Sequence, residues 1–318
     1  MPKISVIIPV YRVESFVERC TTSLFSQTLD DIEFIFIDDC TPDNSMSIIR
    51  TQIERYRSRI EINNWSVRLE KMSVNSGQAV VRRYGISLAT GDYIIHCDSD
   101  DWVNSDMYKI MYDEAITKKS DVVICDYQTV DNINNVLKVY SGCIHTDKTN
   151  FLEDCFCGQS SWSLCNKLFR KNLYDNIELY PKSSCGEDMV LTIQLLFSAN
   201  SISYINIPFY NYYSNPDSIT RSTTRDIILK RFNDSVANLL LLDTFLSKRI
   251  DFKNYENHIV YLKYKQKCLL RPFLQDASLY ALWKNTFPEI NRRVMFNSNI
   301  KIRDKIRFYL NLFKILKH

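Results

Sequence analysis

The sequence predicts an α/β fold: a mainly parallel sheet covered by helices on both faces, followed by a helical C-terminal extension. Three observations lead there. Short apolar runs alternate with stretches of helical periodicity through the first 126 residues, the pattern of strands joined by crossover helices. The runs are nearly apolar throughout, as in strands buried on both faces. From about residue 223 the strand signal stops, and long Leu/Ile-rich segments with many Lys and Arg take over.

Taken in order, "ISVIIPV" at residues 4–10 reads as a buried strand. Phe16, Val17, Cys20, Leu24 and Phe25 then recur at helical spacing. Residues 33–39 form a second strand and 44–56 a second helix, with Asp43 and Asn44 as natural caps. A strand at 67–72, a helix at 78–88, a strand at 92–98, a helix near 107–118 and a strand at 121–126 follow. Residues 161–174 and 186–200 read as helices or helix edges, and 201–213 as strand. Two acidic clusters, Asp38-Asp39 and Asp98/Asp100/Asp101, fall at strand ends. On a parallel sheet both lie on one rim, outside the carboxyl ends of the strands, where such sheets bind ligands.

Composition narrows the class. The 318 residues are 45% hydrophobic and 24% charged, which is ordinary for a globular chain. A net charge of +3 gives no case for nucleic acid. The apolar run at the N-terminus is too short for a signal peptide, and no stretch reaches the ~18 apolar residues of a membrane span. A cytoplasmic location is expected, with the ten cysteines as thiols. Cys155, Cys157, Cys165 and Cys185, near His145, lack a CxxC pair and read as buried thiols rather than a zinc site.

Four motifs stand in one order: "SVIIPVYRVESFVERCTTSLFSQT", "IFIDDCTPDNS", "NSGQAVVRRYGISLATGDYIIHCDSDDW" and "GEDMVLTIQLLF". Together they resemble the inverting, nucleotide-sugar-dependent glycosyltransferases of family 2, bacterial polysaccharide type, over roughly residues 1–220. The resemblance implies a Rossmann-like GT-A domain at 1–222, with a donor-binding half at 1–126 and an acceptor-side half at 127–222. Residues 223–318 would be the helical extension. It implies that Pro9 and Tyr11 border the nucleotide. Asp39, with Asp38 beside it, would accept from the base imide N–H. Arg82 would be the basic residue of the helix facing the nucleotide. Asp98 and Asp100 match the DxD pair that binds Mn²⁺ or Mg²⁺, with Asp98 touching ribose or metal. Asp188 matches the general base, and Lys167 a position on the acceptor side. The implied partners are a nucleotide-sugar donor, with UDP favoured, and a saccharide or lipid-linked acceptor. The sequence departs from the family at Cys40-Thr41, where Gly-Ser is usual, at Arg83, where Asn is usual, and at His96-Cys97, where larger apolar residues are common.

The chemistry needs these residue types. Carboxylates as close as Asp98, Asp100 and Asp101 repel one another unless a cation sits among them. A dication held there would offset charge developing on a diphosphate leaving group. The alternative is that "DSDD" caps the next helix, a job for which Asp101 is the candidate. In "SSCGEDMV", Ser184 and Glu187 have capping-box spacing, which would leave Asp188 free to take the acceptor proton. Arg82 shares a helical face with Gln78, Gly85 and Ala89, opposite a stripe of Val80, Val81, Tyr84 and Leu88 expected to be buried. One base and one metal suit a single displacement without a carboxylate nucleophile. A non-catalytic sugar-nucleotide scaffold and a sugar nucleotidyltransferase are the rival readings; "PVYRVES" lacks the Gly-rich phosphate loop the latter would want.

At residues 299–318, Ile302, Ile306, Tyr309, Phe313 and Leu316 share one helical face. Lys301, Arg303, Lys305, Arg307, Lys314 and Lys317 surround it, against the single acid Asp304. Two readings stand: a terminal helix packed on the core, or an interfacial helix at an anionic membrane.

Overall fold

Strand β1 (Ile4–Val10) lies at the centre of the first half of the sheet, between β2 (Ile32–Asp38) and β4 (Tyr93–His96), all parallel. The computed structural model describes residues 1–131, 135–143, 145, 147–214, 224–249 and 252–313. Strand β3 (Ser66–Lys71) extends the parallel set beyond β2. Past β4 the sheet becomes mixed. The order is β3-β2-β1-β4-β8-β6-β9-β5, with β8 (Lys167–Arg170), β6 (Val122–Val130), β9 (Ile202–Tyr213) and β5 (Trp102–Val103). Strand β8 runs antiparallel to both β4 and β6, so it reverses direction between the two halves. Strand β7 (Val136–Tyr140) forms a hairpin with the end of β6.

Alternation along β1 builds two cores, because successive side chains on a strand point to opposite faces. Val6, Ile8 and Val10 face α1 (Val17–Leu24), α2 (Ser45–Arg55) and α5 (Met107–Lys118). A short helix, α3 (Arg57–Ile62), follows α2. Ile7 faces the other way, into a core with α4 (Gln78–Leu88), α6 (Lys148–Cys157) and α7 (Glu187–Ser198). That second core continues without a break into α8 (Arg225–Ser247), α9 (Phe252–Leu269), α10 (Ala277–Asn285) and α11 (Ile302–Leu312). The helical extension is therefore packed on the sheet domain rather than separate from it. The expected boundary at 222/223 lies outside the described residues.

The first half follows the sequence reading closely; α4 and α5 have the expected bounds. In the second half α7, β9 and the helical extension match it, but other elements do not. The segment 161–174 was expected to be helical, but Lys167–Arg170 is a strand and Lys171–Asn176 a 3-10 turn. It is buried between β4 and β6, and tertiary pairing overrides its local preference. Strands β5 and β7 had no expected counterpart. The apolar residues of β7, Val136, Leu137 and Val139, are half exposed and give no burial alternation. Helix α6 was also missed, although Phe151, Leu152, Cys155 and Phe156 are all buried at helical spacing.

Helix α4 is rotated from the face expected: of the stripe Val80, Val81, Tyr84 and Leu88, only Val81 is fully buried. Ala79, Val81, Arg82, Gly85 and Ile86 are buried, while Val80, Tyr84 and Leu88 are only partly covered. Gly85 explains the orientation: a Cβ there would lie 2.5 Å from Ile7 Cγ2 and 2.8 Å from Ile37 Cδ1. The missing side chain lets α4 settle on β1 and β2 and carries Arg82 beneath the rim. Replacing a helical Gly with Ala ordinarily stabilises by about 1 kcal/mol. Here both isoleucines are fully buried, so overpacking of about 1–3 kcal/mol wins. Gly85→Ala should lower the urea midpoint at unchanged m-value; an unchanged or higher midpoint would contradict this packing.

Candidate active site

The carboxyl ends of β2, β1 and β4 form one rim, stitched by hydrogen bonds beyond the ladder. Asp39 N donates to the Val10 carbonyl (3.0 Å), and Ser99 Oγ to the Pro9 carbonyl (2.6 Å). Pro9 is tolerated inside a central strand because β4 pairing has already stopped at Ile7–His96, leaving no ladder bond for its missing N–H to make. Tyr11, 39% exposed, stands at the mouth with Arg12 over its ring. Both acidic clusters thus lie on the rim where the sequence places them.

Asp38 and Asp39 are buried and serve the local backbone. Asp38 Oδ1 accepts from Thr41 N (2.7 Å). Asp39 Oδ1 accepts from Ser76 N (2.6 Å), and Oδ2 from Gly77 N (2.9 Å) and Asn75 Nδ2 (3.1 Å). It fixes the turn that starts α4, where Gly77 has φ +81° and faces Ser184, whose Oγ would be 2.8 Å from an added Cβ. Residue 77 must be Gly on both counts.

The three acids of "DSDD" have three different fates. Asp98 Oδ1 accepts from Arg82 Nη2 (2.7 Å) and Gln78 Nε2 (2.9 Å), while Oδ2 meets the Cys165 thiol (3.4 Å). Asp101 is buried and does not cap α5. Its oxygens accept from Tyr210 Oη (2.6 Å) and Tyr213 N (2.7 Å), anchoring the loop to β9. The N-cap of α5 is Asp106. Asp100 has no ion pair among the described residues. Burial and the charge of Asp98 push its carboxyl up to about 6, against a weaker pull from Arg19, which lies over Trp102.

Arg82 joins this rim to the second half. It is 3% exposed, and Nη1 donates to Glu187 Oε1 (2.7 Å) while Nη2 holds Asp98. The guanidinium is thus a buried bridge rather than a solvated surface charge. Glu187 sits in the first turn of α7, whose N-cap is Gly186 in the left-handed conformation. The expected Ser184 capping box is therefore absent, because Glu187 turns inward to Arg82. Burial and neighbouring Asp188 raise the Glu187 pKa, while Arg82 opposes them. Asp188 is partly exposed beside it; Oδ1 accepts from Met189 N (2.8 Å), and burial raises its pKa.

Two buried cations behave differently. Arg82 stays charged between its two carboxylates. Lys167 is fully buried on β8, and burial lowers its pKa; Nζ donates to the carbonyls of Ser161 and Ser163 (both 2.8 Å) and to Asn166 Oδ1 (3.0 Å). It holds the loop carrying Cys165 against Asp98. His96, also buried, shares a 3.3 Å contact with Tyr174 Oη and is held neutral by burial and by Arg82. Sequence alone gave no sign of Tyr210 or Cys165 at this site, and it gave Glu187 a capping role rather than a partner in Arg82. Gln78 could have been found, since it lies one helical turn before Arg82.

Among the described residues, no three His, Cys, Asp or Glu side chains form a ready-made metal cage. All ten cysteines are free, and His145 pairs with Asp154. A dication that keeps several waters and substrate phosphates needs only one or two carboxylates. Asp100 and the Asp98 oxygen not held by Arg82 meet that need, and Asp100 has no ion pair among the described residues.

Two tests follow. Arg82→Met would leave Glu187 buried without its cation and should lower the unfolding free energy by about 3–5 kcal/mol. Adding Glu187→Leu should recover part of that loss; additivity of the two losses would refute the bridge. The folded pKa of Asp100 is raised, so its ionised form burdens the folded state above about pH 6 and ceases to do so as the pH falls towards the ordinary carboxylate range. Asp100→Asn should therefore raise the metal-free melting temperature at pH 8 but not at pH 4. A gain that persists at low pH would show another cause.

Residues 5–174 match the model of the family described as Glycosyl transferase family 2. EpsJ of Bacillus subtilis (strain 168), an uncharacterized glycosyltransferase, is 30% identical over 227 residues, 69% of this chain and 63% of EpsJ. The chain thus spans less than two thirds of that relative. TarP of Staphylococcus aureus (strain N315), a poly(ribitol-phosphate) beta-N-acetylglucosaminyltransferase, is 26% identical over 99% of this chain and 89% of its own. The crystal structure of S. aureus TarS residues 1–349 with UDP-GlcNAc superposes with a TM-score of 0.61 at 17% identity, covering 98% of this chain and 91% of that one; this is a likeness of fold. With the family match spanning more than half of the chain, the protein is a member of glycosyl transferase family 2, a glycosyltransferase of the GT-A fold.

Proposed function

We propose that this glycosyltransferase moves a sugar from a UDP-sugar, with Mn²⁺ or Mg²⁺, to a hydroxyl of a saccharide or lipid-linked acceptor in cell-surface polysaccharide synthesis, with inversion at the anomeric carbon. One observation carries the reading: Arg82 links the acid at the end of β4 to the first turn of α7, so the donor-side and acceptor-side acids belong to one site. The UDP donor and polymer acceptor draw support from TarS, solved with UDP-GlcNAc, and from the poly(ribitol-phosphate) activity in the name of TarP.

On the donor side, Pro9 and Tyr11 border the nucleotide. Asp39 Oδ1 already takes one donor, Ser76 N, and a carboxylate oxygen has about two acceptor sites. The remaining one suits the imide N–H of uracil, with Asp38 holding the turn behind it. Asp100 and Asp98 Oδ2 would hold the cation, which supplies charge neutralisation to the departing diphosphate. Arg82 positions Asp98 from beneath rather than touching the nucleotide.

On the acceptor side, Glu187 is committed to Arg82, and Asp188 is the carboxylate left to act. Its raised pKa brings it closer to neutrality, which favours proton uptake during the displacement. The acceptor oxygen bonds to the anomeric carbon, the bond to the diphosphate breaks with its electron pair, and Asp188 takes the hydroxyl proton. No enzyme carboxylate bonds to the sugar, so the configuration inverts.

Release of nucleoside diphosphate from a panel of nucleotide sugars, with Mn²⁺ and with EDTA, tests the reading. UDP should be the product, and EDTA should abolish its release. A GDP-sugar as the best donor would overturn the UDP assignment, and full activity in EDTA the metal. Asp188→Asn should lower kcat by about 10²–10⁴-fold while UDP binding persists. Should Glu187→Gln be the more damaging and Asp188→Asn mild, the two roles are reversed.

A further inference from the structure

We propose that α11 and the turn before it dock this enzyme on an anionic lipid bilayer. The helix is held from one side only. Phe308, 2% exposed, packs on Trp283 at 5.4 Å and Tyr264 at 5.8 Å, and Asn311 is buried beside it. At 100° per residue, Ile302, Ile306 and Phe313 lie roughly opposite that contact. They are 68%, 53% and 66% exposed. Tyr309 borders the stripe, and its hydroxyl donates to the Asn291 carbonyl (2.6 Å). That bond brings the following turn alongside, with Met295 and Phe296 exposed, Phe296 by 85%. The two readings of this segment are therefore not exclusive: one face packs on the core and the apolar stripe faces outward.

Cations frame the stripe. Arg303 and Arg307 are exposed on one flank, Lys305 lies on the other, and Lys301 is exposed at the N-cap. Arg292 is exposed at the turn. No salt bridge reaches any of them among the described residues. Asp304 is the single acid of the helix. Lys314, Leu316 and Lys317 lie outside the described residues and are not needed here.

Charge decides the occupant. In a two-fold contact between copies the same patch meets itself, so this face would set cations against cations. Anionic headgroups reverse the sign of that interaction, and the apolar stripe can enter the acyl boundary. No described helix is long and apolar enough to cross a membrane, so the contact is with the surface.

The test is sedimentation of the full chain with vesicles of phosphatidylglycerol and phosphatidylcholine, against phosphatidylcholine alone. Binding should need the anionic lipid and fall steeply with salt. Arg303→Gln with Arg307→Gln should weaken it about 30-fold, from the roughly fivefold that each cation near such a surface contributes. Ile306→Ser and Phe296→Ser, each at an exposed position, should reduce binding while melting temperature and donor hydrolysis stay unchanged. If Ile306→Ser lowers the melting temperature, Phe296→Ser alone carries the apolar arm. Deleting the helix is not a clean test, because it would uncover Trp283 and Tyr264. Wild type that stays in the supernatant, equal binding to phosphatidylcholine alone, or a dimer in solution that Ile306→Ser dissolves would overturn the proposal. Turnover is measured separately, so failure of this inference leaves the transferase reading untouched.

Discussion

The Arg82 guanidinium is buried between Asp98, 16 positions away, and Glu187, 105 positions away. A cation buried at 3% exposure is tolerable only while both carboxylates stay against it. The bridge therefore fixes where α7 begins relative to the end of β4. It also sorts the acids by role. Asp98 loses one oxygen to the bridge, Glu187 is committed to it, and Asp100 and Asp188 stand outside it. The two acids proposed to act are the partly exposed neighbours of the two acids in the bridge.

The same logic explains how three aspartates survive within four residues. Arg82 and Gln78 hold Asp98, and Tyr210 with the Tyr213 backbone N–H holds Asp101. Burial and the neighbouring carboxylates push the carboxyls of both Asp100 and Asp101 up, but only Asp101 has the tyrosine hydroxyl and backbone N–H to hold it. A carboxyl raised in this way burdens the folded protein while it is ionised. Lys167 contributes from below, its ammonium satisfied by loop carbonyls rather than by an acid. It thereby holds Cys165 at the one Asp98 oxygen that Arg82 does not claim.

The helical extension belongs to the same argument. Its buried residues, from Phe232 on α8 to Phe308 on α11, join the core that packs α7 and α4 onto the sheet. The helix that carries Glu187 and Asp188 is covered on its outer side by α8, where Asn238 donates to the carbonyls of Ser183 and Cys185 (2.8 and 2.9 Å). The loop leading into the acidic turn is thus positioned by residues beyond the family motifs.

Much was legible in the sequence of the first half. Apolar runs and caps are local signals, and β1 to β4 and α5 appear where periodicity places them, apart from the short α3. The rim follows as well, since parallel strands ending in acids can put those acids on only one edge. The face that α4 buries was not legible, because it depends on Gly85 meeting Ile7 and Ile37 across the sheet. Nor was the partner of Glu187: capping-box spacing is a local pattern, and the buried cation that overrides it comes from a helix 105 residues earlier. Strand β8 was read as helix for the same reason, since its four residues are strand only because β4 and β6 flank them. Sequence determined which acids stand at the rim, because hydrophobic period and strand ends are local properties. Tertiary structure alone decided which of them are free to act, because that depends on where one buried guanidinium finds its carboxylates.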